Sequence, residues 1–226
     1  MGKIIKKGDF VEIEYDGKLK EEGIIFDTTS KETAKKQGIH NPNVAYGKVI
    51  ICVGENQILA GVDKAVEGRE TEKEYDINIS PEDGFGKKRT DLLKMVPASV
   101  FRRENIEPVP GLQVNIDGML GTVRTVSGGR IIVDFNHPLA SRELSYHLKI
   151  GKKIIDKEEQ LKSYLSLALN LRKDVIEAAV EGEKAVVTLK MELPEEAKKH
   201  LNERISKVAG IKNIEFRVKK AGTKKE

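Results

Sequence analysis

The sequence has 226 residues, with 40 Lys and Arg against 36 Asp and Glu and a net charge of +4. This near-balance argues against nucleic acid as the main partner, because phosphate binding requires a one-sided excess of basic residues. Hydrophobic residues make up 38% and charged residues 34%, which favours several small modules over one deep core.

The cysteine content and the apolar runs indicate the compartment. Cys52 has no second cysteine to pair with, which excludes a disulfide-stapled secreted domain. Residues 1–10 are charged rather than apolar, and no apolar run approaches the roughly 18 residues of a membrane span. We therefore expect a cytoplasmic protein without membrane contact. The abundance of Lys, Glu and Ile and the absence of Trp are typical of a thermophile.

The first part of the chain is predicted to be a small β-rich domain. Strands are predicted at 3–20, 24–26, 49–53 and 74–79. We interpret Asp16-Gly17 as a turn, and the polar stretch 28–48 as a long surface loop with a helical turn at 31–36. Apolar residues at helical spacing predict a short amphipathic helix within 54–68.

The next stretch, residues 87–133, has a different pattern. Its short alternating segments predict strands at 113–117, 119–126 and 130–133. Ser127-Gly128-Gly129 predicts a hairpin turn between the last two strands. This region therefore reads as a small β module without a long helix, and a clean alternating strand follows it at 144–150.

The C-terminal part is predicted to have the order αββαβ. Asp156 and Glu159 match a capping box at a helix start. The later elements are strands at 175–180 and 184–191, a helix from Pro194 to Gly210, and a strand at 214–218. If 153–155 also pairs, the order becomes βαββαβ, which is a ferredoxin-like pattern. Residues 219–226 are read as a charged, frayed end.

Four segments occur in a characteristic order: VEIEYDG at 11–17 with FDTT at 26–29, VGENQILAGV at 53–62, ISPEDGFG at 79–86 and DFNHPLA at 134–140. Together they resemble the FKBP family of peptidyl-prolyl cis/trans isomerases (rotamases), in its SlyD-like branch. In that branch a second domain is inserted in the flap, before the DFNHPLA segment. The resemblance covers about residues 3–150.

This resemblance and the patterns above predict an α+β protein. We expect an FKBP-type antiparallel sheet with a short helix, formed by the discontinuous residues 1–87 and 134–151. Residues 88–133 would form the inserted chaperone domain, a small β domain. Residues 152–226 would form an αββαβ domain that serves homodimerisation.

The resemblance also implies a prolyl pocket. Its aromatic and aliphatic lining would be Tyr15, Phe26, Ile58, Leu59, Phe85 and Tyr146. Asp27 would be the pocket acid that orients the substrate, and the Leu59 N–H would bind a substrate carbonyl. Val62 stands where family members usually carry a large aromatic, and Ser141 stands where glycine is usual.

The residues alone leave plainer interpretations open. Tyr15, Phe26 and Phe85 would by default be core residues, and Asp27 a turn or N-cap residue. His137 is a candidate substrate contact, but Asn-His-Pro is mainly a turn signal.

The reaction itself needs neither metal nor cofactor, and we predict none. An X–Pro bond crosses its barrier of about 18–20 kcal/mol by rotation alone, without making or breaking a covalent bond. A dry pocket that favours the twisted amide over the planar one is sufficient.

The inserted region carries many apolar residues for its size: Leu92, Leu93, Met95, Val96, Val100 and Phe101. One interpretation is that they fill its own core. The resemblance favours a second, in which some line an exposed groove for unfolded chain. The expected partners are then unfolded polypeptides with X–Pro bonds, with weak binding of macrolide inhibitors.

Two other functions remain alternatives. In the first, the chain is a holdase or assembly adaptor with a vestigial isomerase pocket, which Val62 favours and the intact Tyr15, Phe26, Asp27 and Phe85 set opposes. In the second, residues 152–226 bind RNA. That fold would need an aromatic pair on two strands, and Phe216 stands alone.

Overall fold

The computed structural model describes residues 2–219, and the charged end expected at 219–226 lies outside them except for Lys219. The chain separates into two compact units. The main unit comprises the residues up to Ile79 and those from Leu144 onward, and the inserted unit comprises Ser80–Glu143. The three-domain division expected from the sequence stays a prediction.

The strands are β1 (Phe10–Leu19), β2 (Ile25–Thr28), β3 (Val49–Cys52), β4 (Lys73–Ile79), β5 (Leu93–Pro97), β6 (Gln113–Ile116), β7 (Met119–Ser127), β8 (Arg130–Asp134), β9 (Leu144–Lys153), β10 (Glu177–Glu181), β11 (Lys184–Leu189) and β12 (Asn213–Val218). The helices are α1 (Lys31–Lys36), α2 (Ala60–Val66), α3 (Ala98–Arg103), α4 (Lys157–Ala168) and α5 (Glu195–Ala209). An α+β chain of antiparallel sheets and short helices was expected, and this is confirmed. Within residues 2–219, no helix has both the length and the apolar run that a membrane crossing requires.

A five-stranded antiparallel sheet forms the centre of the main unit. Its order is β2-β1-β9-β4, and β3 also pairs with β1. Val11 and Ile13 of β1 and Leu148 of β9 are fully buried, because their alternate positions face the core. Helix α2 buries Val62 and Val66. Helix α2 lies within the predicted range 54–68, and the single helical turn α1 lies at the predicted residues 31–36.

The predicted turn at Asp16-Gly17 is wrong. Both residues lie inside β1, where Gly17 is opposite Asp27 of β2 and Tyr146 of β9. A Cβ atom on Gly17 would lie 2.6 Å from carbons of the Tyr146 ring. Glycine is therefore needed here for close approach of a ring to the strand, not for a turn.

The C-terminal module, residues 152–219 of the described chain, has the predicted αββαβ order. The Asp156 side chain caps α4 by accepting from the Glu159 N–H at 2.8 Å. In the sheet order β10-β11-β12, the first pair is antiparallel and the second parallel. The ferredoxin-like extension is wrong, because Lys153 pairs with Val11 of β1 instead of joining this sheet.

One hydrophobic core joins the C-terminal module to the five-stranded sheet. Phe10, Ile50 and Cys52 contribute to it from β1 and β3. The module contributes buried residues of α4, β11 and α5, among them Leu161, Leu165, Val187, Leu201 and Ile205. Helix α4 packs directly on β3. The module therefore shares its core with the sheet that carries the site described below.

The inserted unit has its own antiparallel sheet, of order β5-β8-β7-β6. Its core consists of Val96, Phe101, Val114, Val123, Ile131 and Val133. Ser127 pairs with Arg130 across the predicted Gly128-Gly129 hairpin, and both glycines have positive φ. The hairpin prediction is thus confirmed, and the short helix α3 was not foreseen.

Candidate functional site

Three aromatic side chains from neighbouring strands meet on the main sheet. Tyr15 of β1 lies with its ring centroid 5.7 Å from that of Tyr146 of β9. Phe26 of β2 lies 6.0 Å from Tyr146 and nearly perpendicular to it. Edge-to-face and tilted pairs at this spacing are favourable for aromatic rings. Gly17 makes room for the Tyr146 ring at the centre of this aromatic cluster.

Asp27 lies among the polar ends of these rings. The Tyr146 hydroxyl donates to Asp27 Oδ2 at 3.4 Å, and the Tyr15 hydroxyl also bonds to this carboxylate. Burial raises the pKa of Asp27, and the two hydroxyls oppose that rise. Burial and the nearby Asp27 charge raise the pKa of both tyrosines. Both phenols therefore stay protonated donors at neutral pH.

Two threonines after Asp27 hold it in place. The Thr29 N–H donates to the Tyr15 carbonyl, and the Tyr15 N–H donates to Thr29 Oγ1, both at 2.9 Å. The Thr28 hydroxyl donates to Asp16 Oδ1. These bonds tie the end of β2 to β1, so Asp27 is fixed beside Tyr15. Sequence reasoning assigned the threonines no role, although the FDTT segment was the available signal.

The segment Gly54–Leu59 leads from β3 to helix α2. The buried Asp63 carboxylate accepts from the Gly54 N–H at 2.9 Å and from the Asn56 N–H at 2.7 Å. Gln57 Oε1 accepts from the Cys52 N–H at 2.7 Å. Ile58 and Leu59 are half-buried at the helix start, and Val62 below them is 1% exposed.

Phe85 and His137 belong to the inserted unit, where their rings stack 4.3 Å apart and nearly parallel. The Leu139 N–H donates to His137 Nδ1 at 3.2 Å. This backbone bond favours the structural interpretation of His137, as part of the turn in Asn-His-Pro. The site roles implied for both residues stay predictions.

Ser141 adopts φ of +64°, in the left-handed region that favours glycine. Its hydroxyl accepts from the Lys88 N–H at 2.8 Å. The serine therefore gains a bond that a glycine would lack, while it adopts a backbone conformation that glycine would adopt more easily.

The inserted unit carries a surface cavity of 240 Å³ with a mixed lining. Its apolar lining residues include Met95, Val96, Val100, Met119 and Phe135, and its charged ones are Lys94, Arg103 and Asp117. Met95 is 59% exposed, and Leu93 on the same strand is 45% exposed. Met119 was not singled out from the sequence, although the Asp117-Gly118 turn directly before two apolar residues was a usable signal.

The six apolar residues that the sequence singles out in the inserted region divide between surface and core. Leu93 and Met95 are exposed and Leu92 is half-buried, whereas Phe101 is 2% exposed and packs in the core. Val96 is also a core residue that reaches the cavity with one edge. Phe101 packs inward from α3, which favours the core interpretation for this residue, and its assignment to substrate binding stays a prediction.

No group of three or more His, Cys, Asp or Glu side chains is placed to hold a metal ion among residues 2–219.

Comparisons with known proteins assign the chain to a class. Residues 2–101 match the model of the FKBP-type peptidyl-prolyl cis-trans isomerase family, and residues 94–139 match the model of the FKBP26 IF domain. The short-type peptidyl-prolyl cis-trans isomerase of Methanocaldococcus jannaschii is 32% identical over 147 residues, which are 65% of this chain and 92% of the relative.

Bacterial relatives are also similar. SlyD of Helicobacter pylori is 30% identical over 128 residues, which cover 54% of this chain and 68% of the relative. SlyD of Haemophilus influenzae is 31% identical over 101 residues, which cover 43% and 53%. The chain belongs to the FKBP-type peptidyl-prolyl cis-trans isomerase family. It is a peptidyl-prolyl cis-trans isomerase that acts on proline-containing polypeptides, as the sequence predicts.

Proposed function

We propose that the aromatic cluster around Asp27 is the prolyl site, and that the inserted unit holds unfolded chain for it. The observation that carries the proposal is the convergence of Tyr15 and Tyr146 on Asp27, with Phe26 packed against them. The polar ends of these side chains satisfy one another. The aromatic carbon of the half-buried Tyr15 and Phe26 is then the surface that remains for a proline ring, with the buried Tyr146 behind it.

The chemistry suits such a site. Rotation about the X–Pro bond breaks amide resonance, and the twisted amide carries less charge separation than the planar one. A partly desolvated aromatic surface therefore stabilises the twisted state relative to the planar state. Each 1.4 kcal/mol of such preference gives about tenfold in rate. The Asp27 carboxylate fixes both hydroxyls, so the rings are preorganised.

Ile58 and Leu59 complete the proposed site. The backbone of this segment is braced by Asp63 and Gln57, which supports an assigned role for the Leu59 N–H as donor to a substrate carbonyl. Val62 beneath is smaller than the aromatic usual in the family, and we expect a shallower proline pocket as a result.

The methionines at the surface cavity of the inserted unit support a chaperone role. Met95 and Met119 both line it and are both exposed, and flexible thioether side chains adapt to many sequences. The chain leaves the sheet after Ile79 and returns at Leu144, which are opposite each other in β4 and β9. A client held on the inserted unit is thereby tethered to the sheet that carries Tyr146. Such a tether raises its effective concentration at the site.

Three finer expectations belong to the same proposal. The C-terminal module forms a homodimer, which light scattering at several concentrations tests. Macrolide inhibitors bind weakly at the aromatic cluster, in competition with proline peptides. The protein works in the cytoplasm, where the buried thiol of Cys52 stays reduced.

The proposal is tested by refolding an unrelated protein whose folding is limited by proline isomerisation. Three proteins are compared: the wild type, Asp27→Ala, and a variant with residues 88–133 replaced by a short loop. We expect acceleration by the wild type and a large loss in both variants. With a short proline peptide as substrate, only Asp27→Ala should lose activity.

The outcomes separate the alternatives. If Asp27→Ala keeps full activity on the short peptide, the site assignment is wrong. If the loop variant accelerates refolding as well as the wild type, the inserted unit does not hold clients. A wild type that suppresses aggregation without accelerating refolding would favour the holdase alternative.

A further inference from the structure

Glu55 connects the segment Gly54–Leu59, which carries Ile58 and Leu59 of the proposed prolyl site, to the C-terminal module. It lies within Gly54–Leu59, yet its side chain is only 9% exposed. Its Oε2 atom accepts from the Tyr164 hydroxyl of α4 at 3.3 Å and from Arg204 Nη1 of α5 at 3.2 Å. Two helices of the C-terminal module thus hold one carboxylate oxygen of the segment between β3 and α2.

The Glu55 carboxylate is largely removed from water. A buried charge is costly unless it is paired and hydrogen-bonded, so Glu55 depends on both partners. Tyr164 is itself buried, and burial together with the Glu55 charge raises its pKa to about 12. The phenol is therefore a hydrogen-bond donor throughout the neutral pH range.

Other bonds of the segment have their partners in β3 and α2. Asp63 holds the backbone N–H groups of Gly54 and Asn56, and Gln57 bonds back to Cys52. Glu55 lies between these anchors, and its side-chain partners come from the module. Packing of α4 on β3 places the module against the strand from which the segment emerges.

We propose that Tyr164 and Arg204 are positioning residues for the isomerase. Through Glu55 they fix the segment Gly54–Leu59, and thereby the Leu59 N–H and the Ile58 side chain that meet the substrate. This inference rests on the role proposed above for Leu59. The C-terminal module then contributes to catalysis even on the shortest substrates.

The test measures cis/trans exchange of a proline tetrapeptide by NMR, with the full-length protein. The variants are Tyr164→Phe, which removes one oxygen, Arg204→Met, and the two combined. The matched control is Arg217→Met, which removes another arginine of the same module whose partner is Glu215. Because the two bonds position the segment and do not touch the substrate themselves, we expect a roughly 3- to 10-fold higher KM for the combined variant, which is about 0.7–1.4 kcal/mol. The value of kcat should change less than twofold, and Arg217→Met should match the wild type.

Two further readouts identify the mechanism. Amide shifts and hydrogen exchange of residues 56–59 should change in the combined variant but not in Arg217→Met. Adding Glu55→Gln to the combined variant should lower kcat/KM little further, because all three residues act through one contact. A combined variant with wild-type KM and wild-type exchange at 56–59 would overturn the inference. If it fails to fold, the conservative Tyr164→Phe decides by the same criteria.

The pocket variants Asp27→Asn and Leu59→Ala separate the two proposals. If they lower kcat/KM on the tetrapeptide while the module variants do not, only the positioning inference fails. If they leave kcat/KM unchanged, the prolyl-site assignment fails, and the inference that depends on it fails too.

Discussion

The aromatic cluster of the main sheet and the surface cavity of the inserted unit are built in opposite ways. In the cluster, the hydroxyls of Tyr15 and Tyr146 both bond to the Asp27 carboxylate, and Tyr146 is 1% exposed. At the cavity, Met95 is 59% exposed on a flexible side chain. One surface is fixed before any substrate arrives, and the other adapts.

The difference follows from what each surface has to do. Catalysis of a rotation requires one geometry, that of the twisted amide, so side chains with fixed rotamers are favoured. Binding of unrelated unfolded chains, the role proposed for the cavity, requires many geometries, and flexible methionine side chains suit it. In the proposed functions, one surface is selective for a type of bond and the other tolerates many sequences. Substitutions that stiffen or loosen either surface test this separation.

The largest effect is expected at Gly17, where the Tyr146 ring lies against the backbone of β1. Gly17→Ala would place a Cβ atom 2.6 Å from the Tyr146 ring, and the backbone on both sides is paired in the sheet. The ring must shift, at a cost of about 1–3 kcal/mol for overpacking. We expect kcat/KM on a proline tetrapeptide to fall at least about tenfold.

Gly151→Ala in β9 is the matched control. Its Cβ would meet chiefly the Glu12 side chain, whose carboxylate end can move away. We expect activity within about twofold of the wild type. Equal losses in both variants would show that the effect is general to the sheet and not specific to the Tyr146 ring.

A smaller loss, confined to protein substrates, is expected at the adaptable surface. Met95→Ser combined with Met119→Ser removes the exposed apolar ends that line the cavity. Losing two side chains that a bound chain would cover costs about 0.7–1.4 kcal/mol, so acceleration of protein refolding should fall roughly 3- to 10-fold. Activity on a tetrapeptide should not change. Val126→Ser, which is equally exposed but outside the cavity lining, should leave both activities unchanged.

A third prediction concerns Asp134, the last residue of β8 in the inserted unit. The Asp134 carboxylate accepts from Arg124 at 2.9 Å and from both the backbone and the side chain of Asn136. Burial alone would raise the pKa of Asp134, but these bonds outweigh it and lower the pKa to about 2. Because the folded pKa lies below the unfolded one, this stabilisation is complete above about pH 4 and is lost as pH falls towards 2.

Asp134→Asn should therefore destabilise the inserted unit by about 1–3 kcal/mol at pH 7. The difference from the wild type should shrink as the pH approaches 2. Hydrogen exchange of the Val123 and Ile131 amides, both in the core of this unit, measures its opening. A difference that stays constant between pH 7 and pH 2.5 would contradict the assigned charge.

The smallest effect is expected at Ser141. Ser141→Gly relieves a φ of +64° but removes the bond to the Lys88 N–H. The relief of strain and the loss of the hydrogen bond are each worth about 1 kcal/mol and have opposite signs. The free energy of unfolding should therefore change by less than about 0.5 kcal/mol. Ser141→Ala keeps the strain and loses the bond, and it should cost about 1 kcal/mol more than Ser141→Gly. If Ser141→Ala is the more stable of the two, the left-handed conformation carries no strain here, and if Ser141→Ala is as stable as the wild type, the bond to the Lys88 N–H contributes nothing.

The sequence predicts most elements of the fold because hydrophobic periodicity is strong in them. The alternation through Leu144, Tyr146 and Leu148 and the cap at Asp156 both appear as expected. Asp16-Gly17 was misread because a glycine can serve either a turn or a close ring contact, and local sequence does not distinguish them. The ferredoxin-like extension failed for a similar reason, since Lys153 pairs with a strand more than 140 positions away.

The candidate site was predictable only in part. Motif order singled out Tyr15, Phe26, Asp27 and Tyr146, and the structure brings these four together. The contacts of Glu55 with α4 and α5 are not visible in the sequence, because they join residues more than 100 positions apart. Burial of Phe101 was equally hidden, since its segment has too few turns to show which face is inward.

The most direct test of the two-surface account is NMR mapping of two ligands on isotope-labelled protein. A proline tetrapeptide and a permanently unfolded, proline-free polypeptide are titrated separately. The account predicts that the tetrapeptide shifts the amides of Asp27, Leu59 and Tyr146, whereas the unfolded polypeptide shifts those of Met95 and Met119. If both ligands shift the same set of amides, or if the tetrapeptide leaves the aromatic cluster unchanged, the separation of a fixed catalytic surface from an adaptable binding surface is contradicted.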